Sequence, residues 1–570
     1  MRFVFEMNEM EETIVIIGGL SAGPSAAAKA RRVNEKARIL MFEKTEHISY
    51  ATCGIPYSLS GTIKTRDKLM VVSPDLLRDR FNIEVHLNET VRDIITDEHK
   101  IITDKGEYSY NKLIYAAGAR PFVPPVEGID RAVNWSNCRT IEDFDKICFD
   151  DVLGERQHIV ILGAGLIGVE VSENLRKIGK TVSIVELSPS ILPVWDTKFG
   201  QLAETVLEEH GISVYTNTTV SSLVLEGDQI REVQLSDGTS LPADYLLIGI
   251  GGKPNTEMLV SKGAEHLRNG ALIVNERMET SLPDVYAAGD CASIKNLLTG
   301  KPDYFPMGTH ANKGGRAAGA NAAGGSETFR GAYGTAIVKV FDYTLARTGL
   351  NTRSLKMLDR PFESTLIIAS CTPGFYPEPR DIILEVYYDK ESRMLLGAEA
   401  FGEKGVDKRI DVLSAALMGG LTVDDLPDMD LAYAPPYSPA KDPVVVSGFV
   451  SGNKLKHPFR ELTADDLQSM IAGGDIREYQ LLDVRNSVEI AAEGKIAHAL
   501  HFELDHLRHS LDNLDPSKPT IVYCARGLRG YLAAMILLHH NFREVSNLGG
   551  GFKAWQKMGY HVERSTVHNA

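Results

Sequence analysis

The chain has 570 residues, 43% of them hydrophobic, and a formal net charge of -15. The chain is too long to form a single hydrophobic core, which indicates several domains, since a domain usually contains about 100–200 residues. The acidic balance disfavours a nucleic-acid partner, because phosphate binding needs clustered, uncompensated cations.

The amino-terminal residues 1–12 (MRFVFEMNEMEE) lack the basic flank and the long apolar stretch of a signal peptide. No apolar run in the sequence approaches the length that spans a bilayer, so we expect no membrane partner. The six cysteines are scattered, with no C-x-x-C pair and no zinc spacing, which predicts no metal site and fits a reducing compartment. We therefore predict a cytoplasmic protein.

The first predicted elements are a strand, a glycine turn and a helix. Residues 13–17 (TIVII) are apolar and lead into Gly18-Gly-Leu-Ser-Ala-Gly23, and the Ala-rich residues 25–32 predict a helix. The free N–H groups at such a helix start can hold a pyrophosphate. The next predicted strand ends at Glu43, whose carboxylate can accept hydrogen bonds from ribose hydroxyls. The middle fingerprint position holds leucine instead of glycine.

The same pattern recurs further along the chain. Residues 158–162 (HIVIL) lead into Gly163-Ala-Gly165-Leu-Ile-Gly168, a helical stretch follows, and a strand (TVSIV) ends at Glu186. This copy matches the dinucleotide fingerprint fully. Two strand-turn-helix-strand-acid units predict two dinucleotide sites.

Three further segments complete a family pattern. They are Tyr115-Ala-Ala-Gly-Ala-Arg120, Leu247-Ile-Gly-Ile-Gly-Gly-Lys-Pro254 and Thr280-Ser-Leu-Pro-Asp-Val-Tyr-Ala-Ala-Gly-Asp-Cys-Ala292. With the two glycine units, they make residues 13–450 resemble the pyridine-nucleotide disulfide oxidoreductases. The resemblance implies FAD in the first site and a nicotinamide nucleotide in the second. It also implies that Asp290 bonds the FAD ribityl chain and that Ala117, Gly118 and Gly251 lie at the cofactors.

The second ribose position indicates which nicotinamide nucleotide is used. Glu186 would repel a 2'-phosphate and accept a free 2'-hydroxyl, and the following Leu-Ser-Pro-Ser contains no arginine. We therefore predict NADH rather than NADPH.

The redox thiol that the family resemblance implies is Cys53, within Ser49-Tyr-Ala-Thr-Cys-Gly-Ile-Pro-Tyr57. Many family members carry a second cysteine five residues later, where this chain has Ser58. Oxidised Cys53 must therefore be a sulfenic acid or a mixed disulfide with an external thiol. This places the chain in the single-cysteine branch, which includes NADH oxidases, NADH peroxidases and coenzyme A disulfide reductases.

Two features near the first glycine turn bear on the substrate. The family's oxidases and peroxidases usually have a histidine in this turn, where the chain has Ser21, and this favours disulfide or persulfide chemistry. Lys29, Arg31 and Arg32 could hold the phosphates of coenzyme A, together with Ser49 near the thiol. A solvated helix face explains these cations equally well.

Residues 331–450 contain strand-like runs, such as 335–341 and 382–388, and resemble the family's dimerisation domain. The resemblance implies a homodimer in which two tyrosines reach the redox cysteine of the partner subunit. Tyr376 and Tyr433 occupy the matching segments, and we predict that they bond or protonate the leaving sulfur.

The last part of the chain follows a polar, basic stretch predicted to be a linker. A helix near 463–472, strands at 480–484 and 520–523, and a helix at 530–539 predict an α/β domain. The segments Leu482-Asp-Val-Arg485, Glu489, Gly494-Lys-Ile496 and Asn547-Leu-Gly-Gly-Gly-Phe552 make it resemble a rhodanese domain.

The predicted catalytic residue of this domain is Cys524, which ends a strand and opens the loop Cys524-Ala-Arg-Gly-Leu-Arg-Gly530. Backbone N–H groups that converge in the loop, with Arg526 or Arg529, would favour a thiolate and a persulfide anion.

The predicted fold class is α/β, with two Rossmann-like domains, an α+β dimerisation domain and a rhodanese-like α/β domain. The predicted boundaries are 13–153 and 280–330 for FAD binding, 154–279 for NAD(H) binding, 331–450 for dimerisation, 451–460 for the linker and 461–565 for the rhodanese domain.

The predicted activity is NADH-driven reduction of coenzyme A disulfide, coenzyme A persulfide or polysulfide at Cys53, with coenzyme A as the thiol partner and Cys524 handling persulfide sulfur. Two alternatives stay open at this point. One is an NADH oxidase or peroxidase that works through a Cys53 sulfenic acid. The other is a sensor that reports sulfur or coenzyme A redox state to a partner protein.

Overall fold

The computed structural model describes residues 12–457 and 459–564. They form two compact units. The first contains the described residues up to Leu192 together with Glu208–Gly334, and the second contains Pro193–Leu207 and the described residues from Thr335 onward. None of the described helices is long and apolar enough to cross a membrane.

The first unit contains both helices and strands. Up to residue 153 these are β1 Thr13–Ile17, α1 Ala22–Val33, β2 Arg38–Phe42, α2 Ile55–Leu59, α3 Pro74–Phe81, β3 Glu84–His86, β4 Val91–Ile95, β5 Lys100–Thr103, β6 Glu107–Ser109, β7 Lys112–Tyr115, β8 Ala119–Pro121, β9 Trp135–Asn137 and α4 Ile141–Phe149. Then follow β10 His158–Leu162, α5 Leu166–Lys177, β11 Thr181–Val185, α6 Thr197–Glu209, β12 Ser213–Tyr215, β13 Val220–Glu226, β14 Gln229–Leu235, β15 Ser240–Pro242, β16 Tyr245–Ile248, β17 Gly252–Pro254, α7 Glu257–Val260, β18 Val285–Ala287, β19 Ile294–Lys295, β20 Pro302–Asp303 and α8 Gly308–Ala322. Of these elements, α6 belongs to the second unit up to Leu207.

The first sheet has the order β18-β7-β1-β2-β3, and its strands are parallel. The predicted strand 13–17 and the helix after it are confirmed, although α1 begins three residues earlier than predicted. Helix α8 packs closely on α1, because Gly315 and Gly319 lie directly against the backbone of Ala22 and Ala26. The chain thus returns to the first sheet through β18 after completing the second.

The second sheet has the order β12-β11-β10-β16-β9, again with parallel strands. Strand β9 lies in the predicted 13–153 segment of the first domain, yet it pairs with residues 246–248. That part of the predicted boundary is wrong: the second sheet begins with β9. The reason is a pairing about 110 residues away in sequence, which local patterns do not encode.

The second unit begins, after Pro193–Leu207, with an antiparallel sheet and its helices: β21 Ala336–Val340, β22 Tyr343–Gly349, α9 Thr352–Met357, β23 Phe362–Ser370, β24 Asp381–Asp389, β25 Leu395–Gly402, α10 Val406–Gly419 and α11 Pro443–Lys456. The strand order is β21-β22-β25-β24-β23. Helix α10 packs on β22 and β25, and α11 packs on β23.

The predicted linker 451–460 is corrected by α11, which continues to Lys456. Polar residues of α11, among them Ser447 and Ser451, lie on its buried face. The Ser447 hydroxyl donates to the Val444 carbonyl, and the Ser451 hydroxyl donates to the Ser447 carbonyl, so both serines are satisfied in the interior.

The carboxyl-terminal elements are β26 Arg460–Leu462, α12 Ala464–Gly473, β27 Gln480–Asp483, α13 Ser487–Glu493, β28 Leu500–His501, α14 Leu504–Leu507, β29 Thr520–Tyr523, α15 Leu528–His539, β30 Val545–Leu548 and α16 Gly551–Lys557. Short 3₁₀ turns occur at Thr52–Gly54, Arg66–Leu69, Thr96–Glu98, Ile129–Arg131, Leu426–Asp428, Asp475–Glu478 and Leu511–Asn513. The parallel sheet has the order β26-β30-β29-β27-β28. Cys524 directly follows the central strand β29, at its carboxyl end, where α/β sheets bind ligands.

Candidate active sites

The first glycine turn joins β1 to α1. Gly18 has a φ of +107°, and a Cβ on Gly18 or Gly23 would overlap a backbone carbonyl oxygen. Glu43 is fixed beside the turn: its carboxylate accepts hydrogen bonds from the Gly19 N–H at 2.9 Å and the Thr45 N–H at 3.0 Å. The turn therefore brings a carboxylate and the start of a helix together, as a dinucleotide requires.

The second glycine turn repeats this arrangement between β10 and α5. Gly163 has a φ of +103°, and a Cβ on Gly168 would overlap the Gly163 carbonyl oxygen. A Cβ on Gly165 would contact nothing within 4 Å, so the space above the turn is open for a pyrophosphate. Glu186 accepts the Ala164 N–H at 2.9 Å and the Ser188 N–H at 2.8 Å.

The two turns thus fit two dinucleotides by the same geometry. Each glutamate accepts two backbone N–H groups, and a carboxylate has about four lone-pair positions, so capacity remains for ribose hydroxyls. Glu186 is 9% exposed, and a ligand phosphate placed there would meet its negative charge in a poorly solvated site.

The site predicted for the ribityl chain centres on Asp290, which follows β18. Arg139 donates to Asp290 Oδ2 at 2.5 Å, and the Tyr304 hydroxyl donates to the Asp290 backbone carbonyl at 3.0 Å. These contacts hold both the carboxylate and the backbone of Asp290. Within the described residues Oδ1 accepts no hydrogen bond, so this oxygen suits a ligand hydroxyl.

Cys53 is exposed and lies in the 3₁₀ turn just before α2. Ser58, at the position of the family's second cysteine, is buried, and its hydroxyl donates to the Gly54 carbonyl at 3.2 Å. All six cysteines of the chain are free. Cys53 is therefore an accessible thiol without a second cysteine at the family's position.

The segment that carries Cys53 is tied to the second glycine unit. The Tyr57 hydroxyl donates to Glu170 on α5 at 3.0 Å, and Ser60 donates to Asn174 on the same helix at 2.6 Å. Burial raises the pKa of Glu170. Burial raises the pKa of Tyr57 as well, and the charges of Glu170 and Cys53 add to this shift. Helix α5, which begins at the Gly165 turn, thus anchors the redox segment.

Arg31 does not fit its predicted role at coenzyme A. Its guanidinium is 4% exposed and donates to the backbone carbonyls of Glu35, Phe81 and Asn82. The guanidinium is used within the fold, where it satisfies the ends of α1 and α3. The sequence of an Ala-rich helix does not reveal which of its cations turns inward.

The other residues predicted for coenzyme A are more accessible. Arg32 is exposed, and its Nε donates to the Ala28 carbonyl. Lys29 pairs with Glu327. Ser49 has a φ of +46°, and its N–H donates to the Gly19 carbonyl at 2.8 Å, which joins the Cys53 segment to the first glycine turn.

The two predicted tyrosines lie in loops of the second unit. Tyr376 is partly buried between β23 and β24, and Tyr433 is 53% exposed between Leu426–Asp428 and α11. Two further aromatic residues of the same loops, Phe375 and Tyr437, are 78% and 71% exposed.

The Cys524 thiol is 2% exposed and accepts a hydrogen bond from the Gly527 N–H at 3.1 Å. Helix α15 begins one residue later, so its positive end faces the loop. Arg529 forms a bidentate pair with Glu489, at 2.7 and 2.5 Å. The pKa of Arg529 is raised first by Glu489 and also by the Cys524 charge, which places its guanidinium near the sulfur.

The start of α16 packs closely against the Cys524 loop. A Cβ on Gly551 would overlap the Cys524 carbonyl oxygen, which instead accepts the Phe552 N–H at 2.7 Å. The fully buried Asp483–Arg485 pair lies nearby, with the guanidinium 3.7 Å from the centre of the Phe552 ring. The predicted rhodanese segments thus form the wall behind the cysteine.

Comparison with known proteins explains this arrangement. The model of the pyridine nucleotide-disulphide oxidoreductase family matches residues 12–316, and the model of that family's dimerisation domain matches residues 335–443. The chain belongs to the pyridine nucleotide-disulphide oxidoreductase family. The rhodanese-like domain model matches residues 463–558.

Three similar proteins cover most of this oxidoreductase. The NAD(P)H coenzyme A polysulfide/persulfide reductase of Pyrococcus horikoshii is 34% identical over 77% of the chain and 98% of its own length. The solved structure of reduced Bacillus anthracis CoADR-RHD has a TM-score of 0.91 and 33% identity, covering 96% of this chain and 98% of that one. The NAD-dependent persulfide reductase from A. fulgidus has a TM-score of 0.88 and 34% identity, covering 95% and 100%.

The predicted family, fold class and enzyme class are thereby confirmed. Members of the family use FAD and a pyridine nucleotide, and the two glycine turns of this oxidoreductase fit these cofactors. Sequence reasoning missed Arg139, the Tyr57–Glu170 bond and the Glu489 pair with Arg529. Their partners lie 151, 113 and 40 residues apart along the chain, and no local signal joins them.

Proposed function

We propose that this oxidoreductase uses NADH to reduce a sulfur–sulfur bond of coenzyme A disulfide, coenzyme A persulfide or polysulfide, while its rhodanese domain handles persulfide sulfur on Cys524. The observation that carries the proposal is the exposed, unpaired Cys53 with Ser58 at the position of the second cysteine. A thiol of this kind reaches a disulfide state only with an external sulfur.

The activities after which the relatives are named support the sulfur substrates. The Pyrococcus protein is called a coenzyme A polysulfide/persulfide reductase, and the A. fulgidus protein a persulfide reductase. Each of these two relatives matches three quarters or more of this chain.

The chemistry at Cys53 can be written as two balanced steps for coenzyme A persulfide. The Cys53 thiolate attacks the sulfur bonded to coenzyme A, the sulfur–sulfur bond breaks and hydrosulfide leaves. Cys53 is then joined to coenzyme A as a mixed disulfide. Bound FAD would supply the two electrons, taken from NADH, that cleave this bond. The sum is persulfide, NADH and a proton giving coenzyme A, hydrogen sulfide and NAD⁺.

The proposed substrate contacts follow from accessibility. Arg32 is exposed on α1 and Ser49 lies near Cys53 in sequence, so both suit the phosphate and pantetheine parts of coenzyme A. Lys29 would have to exchange Glu327 for a phosphate. Arg31 is left out because its guanidinium is buried.

We also propose a homodimer, in which Tyr376 and Tyr433 reach Cys53 of the partner subunit and protonate or bond the leaving sulfur. The 53% exposure of Tyr433 and the match to a dimerisation domain support this assembly. Six free cysteines suit a reducing compartment such as the cytoplasm.

The test is anaerobic NADH consumption with coenzyme A disulfide, coenzyme A persulfide, polysulfide and hydrogen peroxide, compared side by side at equal concentration. The proposal expects many turnovers with at least one sulfur acceptor and little with peroxide. Rapid turnover with peroxide alone would identify a peroxidase, and rapid turnover in a separate air-saturated reaction without a sulfur acceptor would identify an oxidase. Slow turnover with every acceptor would identify a sensor.

A further inference from the structure

A carboxylate of the dimerisation domain pairs with two cations of the rhodanese domain. Asp381, the first residue of β24, lies 2.6 Å from the Arg526 guanidinium through Oδ1 and 2.6 Å from Lys553 Nζ through Oδ2. One side chain therefore uses both of its oxygens on the neighbouring domain. The paired side chains are partly exposed, at 22% for Asp381, 44% for Arg526 and 30% for Lys553.

Both cationic residues lie in segments that hold Cys524 in place. Arg526 is the second residue after Cys524 in the Cys524 loop, residues 524–530. Lys553 lies in α16, and its N–H donates to the Ala525 carbonyl at 3.0 Å. Asp381 thus reaches the loop directly through Arg526 and, through Lys553, by way of the helix that supports the loop.

The contact is reinforced by close packing. A Cβ on Gly550, just before α16, would lie 3.0 Å from the Leu366 side chain and 3.5 Å from that of Ile368, both on β23. The turn that supports the Cys524 loop therefore lies against the dimerisation sheet.

The two arginines of the loop have different partners. Arg529 is held by Glu489, within the rhodanese domain, and lies near the Cys524 sulfur. Arg526 is held by Asp381, outside the rhodanese domain. The geometry of the loop is thus set from both domains.

We propose that Asp381 is a positioning residue for sulfur transfer at Cys524, acting through Arg526 and Lys553. The inference rests on the proposed role of Cys524. With thiosulfate as donor, the Cys524 thiolate attacks the outer sulfur, the sulfur–sulfur bond breaks and sulfite leaves. Cyanide then takes the outer sulfur of the cysteine persulfide as thiocyanate and regenerates the thiolate. Both steps need the loop N–H groups in fixed positions.

A pocket of about 200 Å³ beside this ion cluster supplies a matched control. Glu403 lines the same pocket, where it pairs with Arg380 at 3.2 Å and forms no ion pair with the rhodanese cations among the described residues. Glu403→Gln removes an equal charge from the pocket and leaves the Arg526–Asp381–Lys553 cluster intact.

The experiment compares full-length wild type, Asp381→Asn, Asp381→Glu and Glu403→Gln. The proposal expects Asp381→Asn to lower kcat/KM for thiosulfate–cyanide transfer by about tenfold to a hundredfold. Asp381→Glu should recover most of this loss, and Glu403→Gln should match wild type. Added salt should reduce wild-type transfer toward the Asp381→Asn value, because a partly exposed ion cluster is screened.

A second readout follows loop position without relying on sulfur transfer. Cys524 is 2% exposed, so iodoacetamide should label the Cys524 peptide faster in Asp381→Asn than in wild type, as measured by mass spectrometry. NADH-driven reduction at Cys53 and the melting temperature should stay unchanged, which establishes that the variant is folded.

The outcomes separate the two claims. If wild type transfers no sulfur while Asp381→Asn still exposes Cys524 to labelling, the proposed role of Cys524 fails and the positioning contact stands. Equal labelling and equal transfer rates in wild type and Asp381→Asn, or equal losses in Glu403→Gln, would overturn the inference.

Discussion

At the residue scale, the nucleotide sites depend on two glutamates in matching positions. Glu43 directly follows β2, and Glu186 directly follows β11. Each carboxylate accepts the N–H of the residue after the first glycine of the neighbouring turn. Since the geometry is the same, the difference between a flavin site and a nicotinamide site has to come from the surroundings. The two residues therefore provide a matched pair for mutation.

Replacing Glu186 tests its role in nucleotide choice. Glu186→Gln keeps the size of the side chain and removes the charge that would repel a 2'-phosphate. We expect kcat/KM for NADH to fall by about tenfold to a hundredfold, the effect of losing a charged hydrogen bond, and the NADPH to NADH ratio to rise. Steady-state kinetics with both nucleotides measure this. Glu43→Gln is the control and should weaken flavin retention without changing the ratio. An unchanged ratio in Glu186→Gln would contradict the assignment.

Cys53 and Cys524 differ in accessibility as their proposed roles require. The exposed Cys53 can meet a large disulfide substrate, whereas the buried Cys524 accepts a hydrogen bond from Gly527 in a compact loop that suits a single sulfur atom.

At the element scale, a buried carboxyl cluster joins β24, β25 and the start of α6 within the second unit. The Tyr387 hydroxyl lies 3.0 Å from both Asp196 and Glu385 and 3.2 Å from Glu399. Lys198 compensates Glu385 at 2.5 Å. Burial raises the pKa of Glu399 from 4.5 to about 8, and the charge of Asp196 adds to this shift.

This shift predicts a pH dependence of stability with a definite sign. The folded state binds the Glu399 proton more tightly than the unfolded state, so this stabilising contribution is complete below pH 4.5 and is lost as pH rises through about 8. Glu399→Gln keeps a neutral side chain at every pH. We expect it to melt at a higher temperature than wild type above pH 8 and at a similar temperature near pH 5, as measured by calorimetry.

Glu385→Gln is the control for this cluster. It leaves the Lys198 ammonium without its carboxylate, so it should lower the melting temperature across the whole pH range. If wild type and Glu399→Gln follow the same curve from pH 5 to 9, the raised pKa of Glu399 is wrong.

The elements also show what the sequence can predict. Strands β1, β10 and β29 were predicted at their observed residues, because strands buried on both faces are continuous apolar runs. The two candidate thiols and the glycine turns could also be predicted, because their motifs consist of residues that are adjacent in sequence.

Other features depend on contacts far apart in sequence. The Asp381–Arg526 pair spans 145 residues and the Asp196–Glu399 contact spans 203. The inward direction of Arg31 depends on the carbonyls of Phe81 and Asn82, which lie at the end of another helix. Patterns of local periodicity contain none of this information.

At the scale of the whole molecule, the proposed homodimer can be tested by mixing two inactive variants. Cys53→Ser and Tyr433→Phe each damage one component of a site that two subunits share. In a mixed dimer, one site carries both lesions and the other carries neither. Co-expression should therefore restore about a quarter of wild-type activity if subunits pair at random. No recovery in purified mixed dimers would place Tyr433 outside the partner's Cys53 site.

The central claim is that Cys53 reduces an external sulfur–sulfur bond with electrons from NADH. The most direct measurement is anaerobic release of hydrogen sulfide from coenzyme A persulfide, counted against NADH consumed, for wild type, Cys53→Ser and Cys524→Ser. We predict one hydrogen sulfide for each NADH in wild type, the same ratio in Cys524→Ser, and no NADH-dependent release in Cys53→Ser. NADH-dependent sulfide release that persists in Cys53→Ser would contradict the account.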